Sequence, residues 1–154
     1  MIVSINDIEN ICNEIRSKGN KIVFTNGCFD LIHIGHVRYL TEAKKLGDVL
    51  IVGLNSDDSV RRLKGSNRPI TPQEERAEIL DALKPVDIVV VFEEDTPIEL
   101  IKKVRPNVLV KGGDYTLEQI VGADLVKSTG GEVIVIPYVK DKSTTNLIEK
   151  LKHM

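Results

Sequence analysis

KIVFTNGCFDLIHIGHVRYL, residues 21–40, decides the fold. Lys21 to Thr25 is a short run rich in apolar and β-branched residues, and it reads as a strand. Thr25, Asn26 and Gly27 lead out of it into a loop. From Gly35 to about Leu46 the residues Val37, Leu40, Ala43 and Lys44 recur at helical spacing, and Gly47 ends the run. Strand, loop and helix in that order open a unit of alternating α and β elements.

The alternation continues on both sides. Upstream, Ile8, Ile11, Cys12 and Ile15 predict a helix after a cap at Asn6. Downstream, Val49 to Leu54, Asp87 to Val91, Asn107 to Val110 and Glu132 to Ile136 predict four more strands. Thr71-Pro72-Gln73-Glu74 and Thr96-Pro97-Ile98-Glu99 each read as a helix start: Thr cap, then Pro in the first turn. Those helices run to about Leu83 and Val104. Further helices are expected over Asp58 to Leu63, Ile120 to Ser128, and from a Ser143 or Thr144 cap to about Lys152. Short, continuously apolar strands separated by helices mark a parallel sheet covered on both faces. The expectation is a single domain, residues 1–154, with a doubly wound, Rossmann-like α/β fold and a five-stranded parallel sheet. Ligands of such folds bind beyond the carboxyl ends of the strands, so the residues just after each strand are the candidates.

Composition removes several function classes. The chain has 154 residues, a size for one domain, and 42% are hydrophobic, enough for an ordinary core. Twenty-one basic residues face 23 acidic ones, against the basic excess that a nucleic-acid or membrane-surface protein needs. Aromatics are 4% with no Trp, which disfavours a base-stacking platform. No apolar run is long enough to span a bilayer, and MIVSINDIEN shows no export signal, so a cytoplasmic location is expected. Cys12 and Cys28 could make at most one bridge.

The richest chemistry lies between the first strand and its helix. His33 and His36 flank Gly35 where the helix begins. A helix start offers free N–H groups and the positive end of a dipole, which together favour phosphate. Gly35 lets oxygens approach the backbone, and imidazole N–H groups can donate to oxygens that gain charge in a transition state. The alternatives are metal ligation, which lacks a third ligand at zinc spacing, and a general-base pair, which lacks a nucleophile other than Cys28. Cys28 reads more readily as a small loop residue than as a catalytic thiol, and Asp30 as either a ligand contact or a residue that fixes the turn.

GCFDLIHIGH, residues 27–36, matches the pattern G-x-F-D-x-x-H-x-G-H and resembles the nucleotidyltransferase superfamily with the HxGH motif. Together with VGLNSDDSVRRLKG, RPITPQEERAEIL, FEEDTPIELI, LVKGGDY and STTNLI, it is similar to the branch that adenylylates D-glycero-β-D-manno-heptose 1-phosphate, over about residues 20–151. The resemblance implies ATP and a sugar phosphate as substrates, with Mg²⁺ beside the triphosphate. The other expectation is a cytidylyltransferase acting on glycerol 3-phosphate or another polyol or sugar phosphate. The resemblance places His33 and His36 on the triphosphate, with Thr25, Asn26, Gly27, Cys28, Phe29, Asp30 and Gly35 in the same cradle. It also implies a homo-oligomer. Such domains are often fused to a sugar kinase, for which this chain has no room, so the kinase step is expected in a separate protein.

The remaining motifs carry two readings each. Arg61, Arg62, Lys64 and Arg68 are either a cationic loop over polyphosphate, with Lys64 the favoured catalytic member, or a solvated surface. Lys44 either reaches phosphate or lies on the surface; Arg76 either binds phosphate or pairs with a nearby carboxylate. Asn55 and Asp57 are placed to hold substrate hydroxyls or phosphate, although Asp57 could instead cap the short helix. Lys111, Gly113 and Asp114 suit close approach of a nucleotide, or form a plain turn. Ser143, Thr144 and Thr145 at a helix start suit phosphate, and a cap explains only one of the three.

Overall fold

Side chains alternate across each strand, and here both alternating sets are apolar. Ile22 and Phe24 point into one layer and Val23 into the other; Ile51 joins the first, Leu50 and Val52 the second. A sheet of this kind must be covered on both sides. The computed structural model describes residues 1–113, 115–137 and 142–154. In chain order it has α1 (Ile8–Ser17), β1 (Ile22–Gly27), α2 (Ile34–Lys44), β2 (Val49–Asn55), α3 (Asp57–Lys64), α4 (Gln73–Ala82), β3 (Ile88–Phe92), α5 (Ile98–Val104), β4 (Val108–Gly112), α6 (Ala123–Ser128), β5 (Glu132–Ile136) and α7 (Thr144–Lys152). A 3₁₀ turn over Leu117–Gln119 precedes α6.

The five strands are parallel, in the order β3-β2-β1-β4-β5. The expected doubly wound α/β sheet is therefore what forms. The order reverses between β1 and β4, and this places the switch point at the carboxyl end of β1, where the HxGH loop begins. Residues of α1, α5 and α6 (Ile8, Leu100, Ile101, Val104, Val126) fill one layer. Residues of α2 and α4 (Leu40, Ala43, Ala77, Leu80) fill the other. At the β3 edge the first residues add a short parallel contact: Ile2 bridges Val89, and the Val3 amide donates to the Val89 carbonyl at 2.9 Å. The terminal ammonium pairs with Asp81.

Several helix starts differ from expectation. Asp7, not Asn6, holds the cap position of α1, in helical backbone and with no side-chain cap bond. Helices α4 and α5 follow Pro72 and Pro97, and neither Thr71 nor Thr96 supplies a cap bond. Thr71 is committed elsewhere, its amide to Asp30 and its carbonyl to Arg76. Ser56, not Asp57, caps α3 by accepting from the Ser59 amide at 3.2 Å.

Gly47 also works differently. Helix α2 ends at Lys44, ahead of it. A Cβ at Gly47 would sit 2.7 Å from Val23 Cγ2 and 2.9 Å from the Lys21 carbonyl oxygen. The glycine therefore lets the turn into β2 pass tightly against the start of β1. We expect Gly47→Ala to lower stability by about 1–3 kcal/mol, the usual cost of overpacking, read as a lower urea midpoint at unchanged slope.

Candidate active site

One cleft of about 920 Å³ crosses the carboxyl ends of all five strands. Asn26 and Gly27 of β1, Asn55 of β2, Asp95 to Pro97 after β3, Lys111 and Gly112 of β4, and Ile136 and Pro137 around the end of β5 all line it. The starts of α2 and α7 close it, through His33, Gly35 and His36 on one side and Ser143 to Asn146 on the other.

The two histidines lock each other and the helix start. His33 is the cap residue of α2, and its Nδ1 accepts the Gly35 amide at 3.0 Å. His36 Nδ1 accepts the His33 amide at 3.2 Å. The rings stack with centroids 3.9 Å apart, and Phe29 packs 5.2 Å from the His36 ring. Since each Nδ1 is an acceptor, each neutral ring carries its proton on Nε2. Two N–H donors are thus prepared for an anionic ligand without any imidazolium. Burial, and then the neighbouring His33, push the His36 pKa down to about 4. Burial, with the charge of Lys142, lowers that of His33 too. Gly35 is required between them, because a Cβ there would lie 2.7 Å from His33 Cε1.

Around this pair the cleft is cationic. Lys64, Lys111, Lys142, Arg38 and Arg68 line it. Burial, and the proximity of Lys64, lower the pKa of Lys111, whose ammonium stands 5.2 Å over the Tyr115 ring. Cys28 lines the cleft as a free thiol, and burial pushes its pKa up despite the cations around it, so it is held as a thiol rather than a nucleophilic thiolate. Ser143 caps α7 by accepting from Asn146, which leaves Thr145 in the cleft wall with no cap to make.

Five of the candidate residues serve structure. Arg76 is fully buried. Its guanidinium donates to the carbonyls of Thr71 (2.8 Å), Cys28 (2.6 Å) and Asn55 (2.8 Å) and to Asp57 Oδ1 (2.8 Å), so it has no face for a phosphate. Asp57 is taken by that pair and does not line the cleft. Thr25 is buried, its hydroxyl bonded to that of Tyr39, which in turn donates to the Val110 carbonyl at 3.2 Å. Lys44 lies at the opposite end of the sheet, where it pairs with Asp87 and donates to the Asp48 carbonyl at 2.6 Å. Both partners precede strands, so Lys44 cannot reach a ligand beyond the strand ends.

Asp30 is the fifth, and it is wholly internal. Its Oδ2 accepts from Arg68 Nε and the Ile70 amide, both at 2.9 Å, and its Oδ1 from the Thr71 amide at 3.0 Å. Burial opposes its ionisation, but these bonds outweigh burial and lower its pKa. Phe29 and Leu31 on either side have positive φ, 46° and 49°, an arrangement that costs on the order of 1–3 kcal/mol per residue. Thr144 secures the same turn by donating to the Asp30 carbonyl at 2.6 Å. Gly113 stands just behind the wall, with φ 114° and its amide on the Ile136 carbonyl at 2.9 Å. Asp114 lies outside the described residues. Arg61 and Arg62 are half exposed and paired with Asp58 and Asp95, off the cleft wall. Lys142, Arg38 and Thr96 are cleft residues that motif reading passed over; Lys142 and Thr96 follow strands, which is the signal that could have found them.

The family model described as "Cytidylyltransferase-like" matches residues 24–150, the stretch that builds this cleft. The chain belongs to the cytidylyltransferase-like family. Among curated relatives, it is 60% identical over 136 residues to the bifunctional protein HldE of Syntrophotalea carbinolica, covering 88% of this chain and 28% of that protein. It is 56% identical over 151 residues to the HldE of a Nitratiruptor species, covering 98% and 32%. The chain thus spans about a third or less of these relatives. Among solved structures, a lipopolysaccharide core biosynthesis protein from Thermoplasma volcanium superposes with TM-score 0.64 at 30% identity, covering 79% of this chain and 98% of that one. Pantoate-beta-alanine ligase of Francisella tularensis superposes with TM-score 0.63 at 18% identity, covering 100% and 79%, and shows a shared fold alone.

The buried, neutral His36 gives a sign for pH dependence. The unfolded chain takes up its proton near the ordinary value of 6.5, the folded one only near 4. The neutral ring therefore contributes stability above 6.5 that is lost as the pH falls through that window. We expect wild type to lose more stability than His36→Asn between these two pH values, measured as the shift in urea midpoint. An equal loss in both proteins would show that His36 is not the titrating group.

Proposed function

We propose that this domain is an adenylyltransferase that joins ATP and D-glycero-β-D-manno-heptose 1-phosphate to give ADP-heptose and pyrophosphate. The observation that carries the chemistry is the pair of stacked imidazoles at a helix start, each with Nδ1 accepting an amide and Nε2–H without a partner among the described residues. The choice of substrates is supported by identity of 56–60% to proteins named HldE across 88–98% of this chain.

A phosphate oxygen of the sugar phosphate attacks the α-phosphorus of ATP, and the bond to the bridging oxygen of pyrophosphate breaks. The attacking oxygen is already an anion, so no general base is required. The work left for the protein is positioning and charge stabilisation. His33 and His36 donate from Nε2 to oxygens around the transferring phosphorus. Lys64 acts with them as the catalytic cation. Lys111, Lys142 and the first amides of α7 hold the rest of the triphosphate. Asn26 and the backbone of Gly27 to Phe29 form the floor. Asn55, at the end of β2, faces the acceptor.

Mg²⁺ is proposed as a companion of the triphosphate. Among the described residues no three His, Cys, Asp or Glu side chains cluster to cage it, which suits an ion bound chiefly by phosphate oxygens and water. Among these residues no helix is long and apolar enough to cross a membrane. A homo-oligomer in the cytoplasm remains part of the proposal.

The test is a pyrophosphate-release assay crossing the four nucleoside triphosphates with heptose 1-phosphate and glycerol 3-phosphate. ATP with heptose 1-phosphate should be the fastest pair. A faster rate for CTP with glycerol 3-phosphate would overturn the assignment. In the same assay His36→Asn keeps an acceptor for the His33 amide but loses the Nε2 donor. Its turnover should fall by about two orders of magnitude, the scale for a lost oxyanion donor.

A further inference from the structure

Of the four cations around the loop that follows α3, Arg68 stands apart. Arg61 and Arg62 are half exposed and neutralised by Asp58 and Asp95. Lys64 lines the cleft on a flexible stem. The Arg68 side chain is 17% exposed, lines the cleft, and has its Nε fixed on the fully buried carboxylate of Asp30 at 2.9 Å. Neither of its terminal nitrogens has a partner among the described residues, although both are accessible to solvent.

A guanidinium held through Nε has its plane and direction set before any ligand arrives. Its two remaining N–H-bearing nitrogens form a fork that matches two oxygens of a phosphate. The holding group is rigid for its own reasons. Asp30 also accepts the Ile70 and Thr71 amides, and its carbonyl accepts the Thr144 hydroxyl. We infer that Arg68 is a phosphate ligand of the cleft and that Asp30 is the positioning residue that aims it. The inference rests on the proposed transferase reading for its two candidate phosphates, one on the nucleotide and one on the acceptor sugar. Asp30 thereby acts on the ligand through Arg68 and does not touch it.

The test varies ATP and heptose 1-phosphate separately in wild type, Arg68→Ala, Asp30→Asn, the double variant, and Arg61→Ala. Arg68→Ala should raise the KM of one substrate about tenfold or more, the scale of a lost charge-assisted hydrogen bond, and that substrate carries the phosphate in question. Arg61→Ala should leave both constants within about twofold. Asp30→Asn should raise the same KM, and this effect should largely vanish when Arg68 is already Ala. Equal effects of Asp30→Asn in both backgrounds would reduce Asp30 to a purely structural role. If Asp30→Asn does not fold, Arg68→Lys, which keeps the charge but not the fork, should reproduce the KM increase; a wild-type KM for it overturns the proposal. If wild type turns over neither substrate, the transferase reading fails. Calorimetric titration of ATP and of inorganic phosphate into wild type and Arg68→Ala then decides: weaker binding of either by the variant sustains the inference, and identical binding of both overturns it.

Discussion

Arg76 is the constraint on which the site depends. It is a fully buried cation, and such a group is tolerated only when its nitrogens are partnered, as all three are here. Its bonds go to the loop after β1, the end of β2, the first turn of α3 and Thr71 before α4. These are the segments that must meet for the cleft to have a floor. The hydrophobic layers make the sheet, but they do not decide how the loops at its carboxyl end sit. A single buried guanidinium does that, and Asp30 repeats the principle with the opposite charge one loop away.

The two networks share Thr71, which donates to Asp30 and accepts from Arg76. The turn that carries the histidines is thus joined on one side to the 68–71 segment and, through Thr144, to the start of α7 on the other. This is preorganisation in the sense that catalysis by charge stabilisation requires: donors fixed before charge develops. The left-handed backbone of Phe29 and Leu31 is the strained element that these bonds sustain.

Much of this was legible in residues 21–40, because strand, loop and helix each carry a local signal there. The five strands announced themselves as short apolar runs, and residues of the motif Gly27 to His36 line the cleft at the strand ends. What sequence could not resolve was the partner of each polar residue. Arg76, Asp57 and Asp30 each carried a ligand reading, because they stand after strands or inside motifs, beside a structural one: a carboxylate pair for Arg76, a cap for Asp57, a turn for Asp30. They proved to bond one another's loops across 19 to 48 positions, a distance that no local pattern encodes. For Lys44 the phosphate reading fails for a simpler reason: at the end of α2 it has run back along the helix to the opposite end of the sheet. The two threonine caps failed because the cap positions fall one residue later, on Pro72 and Pro97, which have no side-chain acceptor. Lys142 was missed although it adjoins Ser143, since a lone lysine carries no spacing signal.

The short contact of Ile2 and Val3 with Val89 has a meaning beyond the fold. A parallel sheet left open at its edge offers a row of unpaired amides and carbonyls to any passing strand. Here Ile2 and Val3 occupy part of that row on β3. The segment therefore acts as a guard against strand-to-strand association of the folded protein. The guard is one-sided among the described residues: β5 pairs there with β4 alone, and its residues from Val133 to Ile136 are half-buried, so of the two edges it is the outer margin of β5 that offers the freer row.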